Sequence, residues 1–223
     1  MLNLAFIAFS IHNTSGFLKE HAMATYKEKA RHLYETVSDQ GGYFTTKQAQ
    51  AAGYAPSTHS YNVKAGNWVR EHRGIYRLAN YPTGEHPDMV LWHLWSRNQS
   101  DEPQGVFSHQ TALSFYDLSD VNPAKLHMTV PPAFRRGVET PKILVLHRGK
   151  LRKEDVQEAQ GFRVTRPLRT IVDLLIDRTV QMDHMGQAVK QSFARGLITG
   201  EQVEGAAWVA AGIKKQIEEL RHG

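Results

Sequence analysis

The chain has 223 residues, room for two small domains or one larger one. Its hydrophobic content of 41% is ample for a core, and its charged content of 22% is ordinary. The absence of cysteine excludes disulfides and thiolate metal sites, and the net charge of +5 with a sequence pI of about 9.4 favours an anionic partner.

That charge is uneven. Between Ala24 and Pro82 eight Lys/Arg face four acids, a surplus of +4, whereas everything after Pro82 sums to +1. The opening Met1 to Ile11 is apolar but too short to span a bilayer, and no basic residue precedes it, so it does not read as a secretory signal. Residues 1–23 are expected to be a disordered or untranslated leader, with Met23 the effective start.

Tyr26 to Gln40 then reads as a helix, because Ala30, Leu33, Tyr34 and Val37 recur at i, i+3, i+4 and i+7. Lys27, Lys29 and Arg31 near its start read as a solvated cluster. Gly41-Gly42 stops it, and Tyr43 and Phe44 form a short inward-packing strand. Thr45 is placed as the N-cap of a helix over 46–52 that Gly53 ends. Ser57, with Pro56 before it, is expected to cap a second short helix to about Ala65. Trp68-Val69-Arg70 and Ile75-Tyr76-Arg77-Leu78 are strand-like runs separated by Glu71 to Gly74, a hairpin. Two short helices, a tight turn and a basic hairpin are the order of a winged helix-turn-helix module.

The side chains in that module suit nucleic acid. The second helix carries Ser57, Thr58, His59, Ser60, Tyr61, Asn62 and Lys64, which read base edges or hold phosphates when they face outward. Asn62 is singled out as a base reader, since a carboxamide can pair with adenine in bidentate fashion. Lys47 on the first helix and Arg70, Arg73 and Arg77 on the hairpin complete the candidate DNA-binding set, with Arg73 at the tip. Tyr54, Trp68 and Tyr76 are assigned to the core, because so small a domain needs its aromatics inside.

The stretch from Gly41 to Ala49 and the run from Trp68 to Leu78 resemble the entry helix and wing of the AbiEi family, the antitoxin and autorepressor half of type IV toxin–antitoxin operons. Phe107 to Leu113 and Val164 to Leu174 are similar to that family's second domain. The resemblance spans about Ala24 to Thr199. It implies binding to inverted repeats in the protein's own promoter and a nucleotidyltransferase-like toxin as functional partner, with direct contact not required. The lack of cysteine is compatible with the cytosol, and a cytoplasmic protein with no membrane association is expected.

Asn80 to Gly84 reads as the domain boundary, giving a winged-helix domain over 24–82 and a mixed α/β domain over 83–223, an α+β protein. In the second domain Pro87 opens a helix to about Arg97 and Ser108 is expected to cap another through Leu113. Leu126, Met128 and Val130 alternate with polar neighbours in a half-buried strand, and Ile143 to Leu146 is a continuous apolar one. Phe162 and Val164 mark a third strand. Pro167 opens a helix, a further helix runs over 183–195, Thr199 caps the next, and Ile213, Ile217 and Leu220 stripe the last.

No catalytic motif stands out. His109, His127 and His147 read as structural histidines, and no metal or cofactor is expected. Ser108-His109 is set aside as a dyad on the ground that neighbours on a helix face different ways. Pro87-Asp88 is the only trace of a nuclease motif, without the downstream acid-x-Lys. Arg135, Arg136, Lys142, Arg148, Lys150, Arg152, Lys153, Arg163, Arg166 and Arg169 form a second basic run that could add DNA contacts or dock an acidic partner. The open alternatives are a stand-alone regulator or interaction module, and a nucleic-acid-processing enzyme.

Overall fold

Residues 25–37 are helical (α1) and continue into a 3-10 turn at Ser38–Gln40. The computed structural model describes residues 25–223, so the expected leader lies outside the described residues. On α1, Leu33 and Val37 are fully buried, but Tyr34 is 54% exposed and lies against Tyr81 at 5.7 Å between ring centroids. The apolar face is therefore narrower than its spacing suggests. Gly42 has φ +82, and a Cβ there would sit 2.5 Å from the Tyr81 ring, so both conformation and space require glycine.

Strand β1 (Tyr43–Thr45) leads directly into α2 (Thr46–Ala51). The Thr45 hydroxyl accepts from the Gln48 N–H at 3.1 Å, and the Gln48 side chain accepts from the Thr45 N–H at 2.9 Å. This capping box satisfies two helix-start donors with residues three apart. Helix α3 (Pro56–Lys64) begins differently from expectation: Ala55 is the N-cap and Pro56 the first helical residue, so Ser57 lies inside the helix and caps nothing. Strands β2 (Trp68–His72) and β3 (Ile75–Leu78) are joined by Arg73-Gly74 alone, so the hairpin is longer and its turn tighter than the sequence suggests. A bulge between Arg70 and His72 takes up the extra length, and Gly74 supplies φ +71 at the turn.

The three strands form an antiparallel sheet in the order β1-β3-β2. Leu33, Val37, Phe44, Ala49, Tyr54 and Trp68 pack beneath it, with partly buried Tyr76 against them. Trp68 is the hub, meeting Phe44 at 4.9 Å and Tyr54 at 5.0 Å edge-on, the preferred arrangement for ring pairs. The described residues divide into two compact units, one ending at Glu85 and the other running from His86 to Gly223.

In the second unit the elements follow as α4 (Pro87–Trp95), β4 (Val106–Phe107), α5 (His109–Phe115), β5 (Leu126–Val130), β6 (Leu144–Arg148), β7 (Val156–Ala159) and β8 (Phe162–Thr165). Helices α6 (Pro167–Asp177), α7 (Met182–Ala194), α8 (Gly200–Gly205) and α9 (Ala211–His222) complete it. The strands make a mixed sheet in the order β6-β5-β4-β8-β7. Strands β5 and β6 are parallel, as are β4 and β8; the other neighbours are antiparallel. Leu126, Met128 and Val130 occupy one face of β5, while His127 and Thr129 point to the face that α5 covers. The alternation in the sequence predicts solvent on that second face; the helix takes its place.

Ser108 does not cap α5 through its side chain. Its backbone is extended (φ −153°) and the next residue, His109, is left-handed (φ +53°). Those two conformations turn the Ser108 hydroxyl and the His109 Nδ1 toward each other, 2.8 Å apart. Neighbours on a helix diverge, but Ser108 is not yet helical, so the two side chains meet. Pro87-Asp88 forms the first turn of α4, a helix start rather than the strand end a nuclease motif would occupy.

Candidate nucleic-acid interface

Helix α3 divides its polar residues between two faces. Ser57, Ser60, Tyr61 and Lys64 are exposed at i, i+3, i+4 and i+7, one continuous stripe with Tyr61 69% accessible. His59 and Asn62, each 4% accessible, face inward. The His59 ring meets Trp68 at 5.3 Å and Tyr76 at 5.8 Å, and its Nε2 lies 3.3 Å from the Tyr54 carbonyl, to which it donates. The Asn62 Nδ2 donates to the Thr58 carbonyl at 3.0 Å, and its Oδ1 accepts from the Asn67 Nδ2 at 3.2 Å. The Thr58 hydroxyl is exposed but donates to the Ala55 carbonyl at 2.7 Å. The expectation that Asn62 and His59 read bases is therefore corrected: both belong to the interior. Hydrophilic type alone could not separate the two faces of α3, because the inward residues His59 and Asn62 are as polar as the outward ones.

The hairpin sorts its arginines similarly. Arg70 and Arg73 are exposed, and neither has an ion-pair partner among the described residues. Arg73 stands in the two-residue turn, at the tip as expected. Arg77 instead donates from Nε to Glu71 Oε1 at 2.8 Å, and its guanidinium lies 6.0 Å from the Tyr43 ring centroid. It is a half-buried structural cation rather than a free contact. Lys47 is exposed on α2.

The second basic run is largely occupied within its own unit. Arg136 donates to the Arg97 carbonyl at 2.7 Å and lies over Trp95. Arg148 donates to the carbonyls of Pro132 and Phe134 at 3.0 and 2.9 Å. Arg163 donates to the Pro103 carbonyl, and Arg166 to that of Val156 at 3.3 Å. Arg152 and Arg169 both grip Asp155, at 2.5 and 3.2 Å, and Arg169 also holds Asp173 at 2.9 Å. Burial pushes the Asp155 carboxyl up, but the bonds and charge from Arg152, with Arg169 beside it, outweigh that and hold it below the usual range. What looked like a dense cationic surface is thus a set of internal ties. Arg135, Lys142, Lys150 and Lys153 remain as exposed cations.

Residues 32–79, which contain α2, α3 and the whole hairpin, match the family described as a transcriptional regulator, AbiEi antitoxin. The match covers 48 of the 223 residues, all within the first compact unit. The stripe on α3 and Arg70 and Arg73 of the hairpin all fall inside the matched residues. The stretches Phe107 to Leu113 and Val164 to Leu174 lie outside the matched residues and fold as β4-α5 and β8-α6. Across 87% of this chain and 76% of the other, the fold is similar to the crystal structure of the RV2827C protein from Mycobacterium tuberculosis, with a TM-score of 0.54 and 11% identity. At that identity the likeness speaks for fold alone. No curated protein matches the sequence. Among the described residues no helix is long and apolar enough to cross a membrane.

Proposed function

We propose that the first unit works as a winged helix-turn-helix on duplex DNA, and that the protein is a non-enzymatic transcriptional repressor and antitoxin of a type IV toxin–antitoxin system. The observation that carries this reading is the exposed stripe Ser57-Ser60-Tyr61-Lys64 on α3, followed in the same domain by unpaired Arg70 and Arg73 on the hairpin. A helix with outward hydroxyls, a phenol and an ammonium group offers base-edge and phosphate contacts together. Arg73 at a hairpin tip can hold phosphate or enter a minor groove. The family match to an antitoxin-type transcriptional regulator points the same way.

On this reading the operator is an inverted repeat in the protein's own promoter, because helix-turn-helix proteins pair on two half-sites. The functional partner is a nucleotidyltransferase-like toxin, and both act in the cytoplasm. Gel shifts over the upstream region and a scrambled duplex test the repressor. Tighter binding to the promoter, with an affinity that falls as salt rises, is expected. Equal binding to both, or none, overturns it and leaves an interaction module. Co-expression with the neighbouring reading frame tests the antitoxin: a gene toxic alone and tolerated with this chain is expected.

A further inference from the structure

Three side chains from separate elements of the second unit converge on one point. His109 opens α5, His147 lies on β6 and Asp177 ends α6. The His109 Nε2 is 3.1 Å and the His147 Nδ1 3.5 Å from the same oxygen, Asp177 Oδ2. All three ligand atoms lie within 4.8 Å of one another. Around a tetrahedral zinc-type ion, with bonds near 2.0–2.1 Å, neighbouring ligand atoms stand about 3.3 Å apart. We propose that His109, His147 and Asp177 bind a divalent transition metal of the zinc class, two imidazoles and one carboxylate with a remaining position open to solvent.

The surroundings suit a cation. Asp177 is the last residue of α6, at the end of the helix where the dipole disfavours negative charge. Among the described residues, its ion-pair partners are the two histidines and no Lys or Arg. A divalent cation between the two rings would supply the counter-charge that no Lys or Arg gives Asp177, and imidazole nitrogen and carboxylate oxygen are the donor types such an ion takes.

The outer contacts fix the rings. Ser108 Oγ lies 2.8 Å from His109 Nδ1 and accepts from the Thr129 hydroxyl at 2.8 Å. A hydroxyl there can accept a hydrogen bond from Nδ1–H when Nε2 turns to the metal. His147 Nε2 lies 3.0 Å from His127 Nδ1, a partner that leaves His147 Nδ1 for the ion. The left-handed backbone at His109 is strained in a residue with a Cβ, and it is what directs this ring inward. The two rings stack at 3.6 Å with a 10° interplanar angle, so their lone pairs lie in nearly parallel planes. Binding rotates them apart about their Cβ–Cγ bonds. The His147 side chain, 22% exposed, and that of Asp177, 37% exposed, have the room, and they give the ion its entry. The same residues do not form a nucleophile–base–acid triad, because Ser108 is fully buried and no substrate carbonyl can reach it.

The test is zinc titration of the chelator-stripped full chain by calorimetry, with cobalt as a visible-absorption probe. One saturable equivalent and a raised Tm are expected. With twelve histidines in the chain, variants locate the ion. Asp177→Asn and His147→Gln each weaken binding by more than about tenfold, His127→Phe weakens it about 10–100-fold, and His222→Gln leaves it unchanged. X-ray absorption of the zinc-loaded wild type counts two imidazole nitrogens whether or not a variant folds. No saturable uptake, unchanged affinity in both ligand variants, or fewer than two imidazoles overturns the site.

Discussion

The Asn62 side chain is hydrogen-bonded to that of Asn67, 3.2 Å from Oδ1 to Nδ2, across the join between α3 and β2. A residue of base-reading type is thereby used to fasten the candidate recognition helix to the hairpin. Asn62→Ala leaves the Asn67 amide and the Thr58 carbonyl each one partner short. We expect a loss of about 1–3 kcal/mol in folding stability by urea melts. DNA affinity of the folded fraction should change equally on operator and random duplexes. Selective weakening on the operator would put Asn62 back on the reading face.

The outward stripe behaves oppositely. Tyr61→Ala and Ser60→Ala should keep stability within about 0.5 kcal/mol of wild type, since both side chains point to solvent. On the operator, removing a side chain that hydrogen-bonds a base edge should cost about 1–3 kcal/mol, with little change on random DNA. Lys64→Ala should weaken both duplexes alike and flatten the salt slope by about one. Binding isotherms at several salt concentrations distinguish these outcomes.

Two hairpin arginines separate in the same way. Arg73→Ala should reduce binding to any duplex and the salt slope by about one, leaving the melting temperature unchanged. Arg77→Ala should instead destabilise the domain by about 1 kcal/mol, because it abandons half-buried Glu71 at 2.8 Å. Thermal melts of the two variants side by side decide it: a larger drop for Arg73→Ala would mean that the turn, not the ion pair, holds the wing.

Acid should loosen the second unit well above the carboxylate range. His93 lies on α4 with its Nδ1 3.0 Å from the Gly105 carbonyl, and burial, then the charge of Arg163, pushes it down to about 4. Its folded value is below its unfolded one near 6.5, so the unfolded chain binds more protons between the two. Stability is then full above about pH 6.5 and falls as pH drops toward 4, by on the order of 3 kcal/mol from this residue. Asp155, depressed by Arg152 and Arg169, adds a further decrease only at lower pH. Urea midpoints measured from pH 7 to 4 should decline in wild type and decline less steeply in His93→Gln, the remainder coming from other buried histidines such as His127, which burial pushes down to about 4.

Much of the fold was legible because its signals are local. The Thr45–Gln48 capping box, Pro87 and Pro167 at helix starts, and the Gly74 turn each depend on residues a few positions apart. The aromatic core of the first unit was legible too, since Tyr54 and Trp68 have few alternatives in so small an interior. Strands β4 and β7 were not, the first having only two residues and the second lying half-buried with no clean alternation.

The sequence by itself therefore determined the order of helices and hairpin in the first unit and the residue types available on its surface. Only tertiary structure decided which of those residues face outward. Trp68, arriving from the hairpin, turns His59 into the core and leaves Tyr61 outside, and no local rule on α3 contains that information. The same holds for the basic run, whose charges are absorbed by Asp155, Asp173 and backbone carbonyls brought near by the fold. It holds most fully for His109, His147 and Asp177, which share no spacing in the chain and meet because α5 and α6 pack with the sheet that carries β6. Periodicity reports which side of an element is apolar; the polar side acquires its chemistry only from what packs against it.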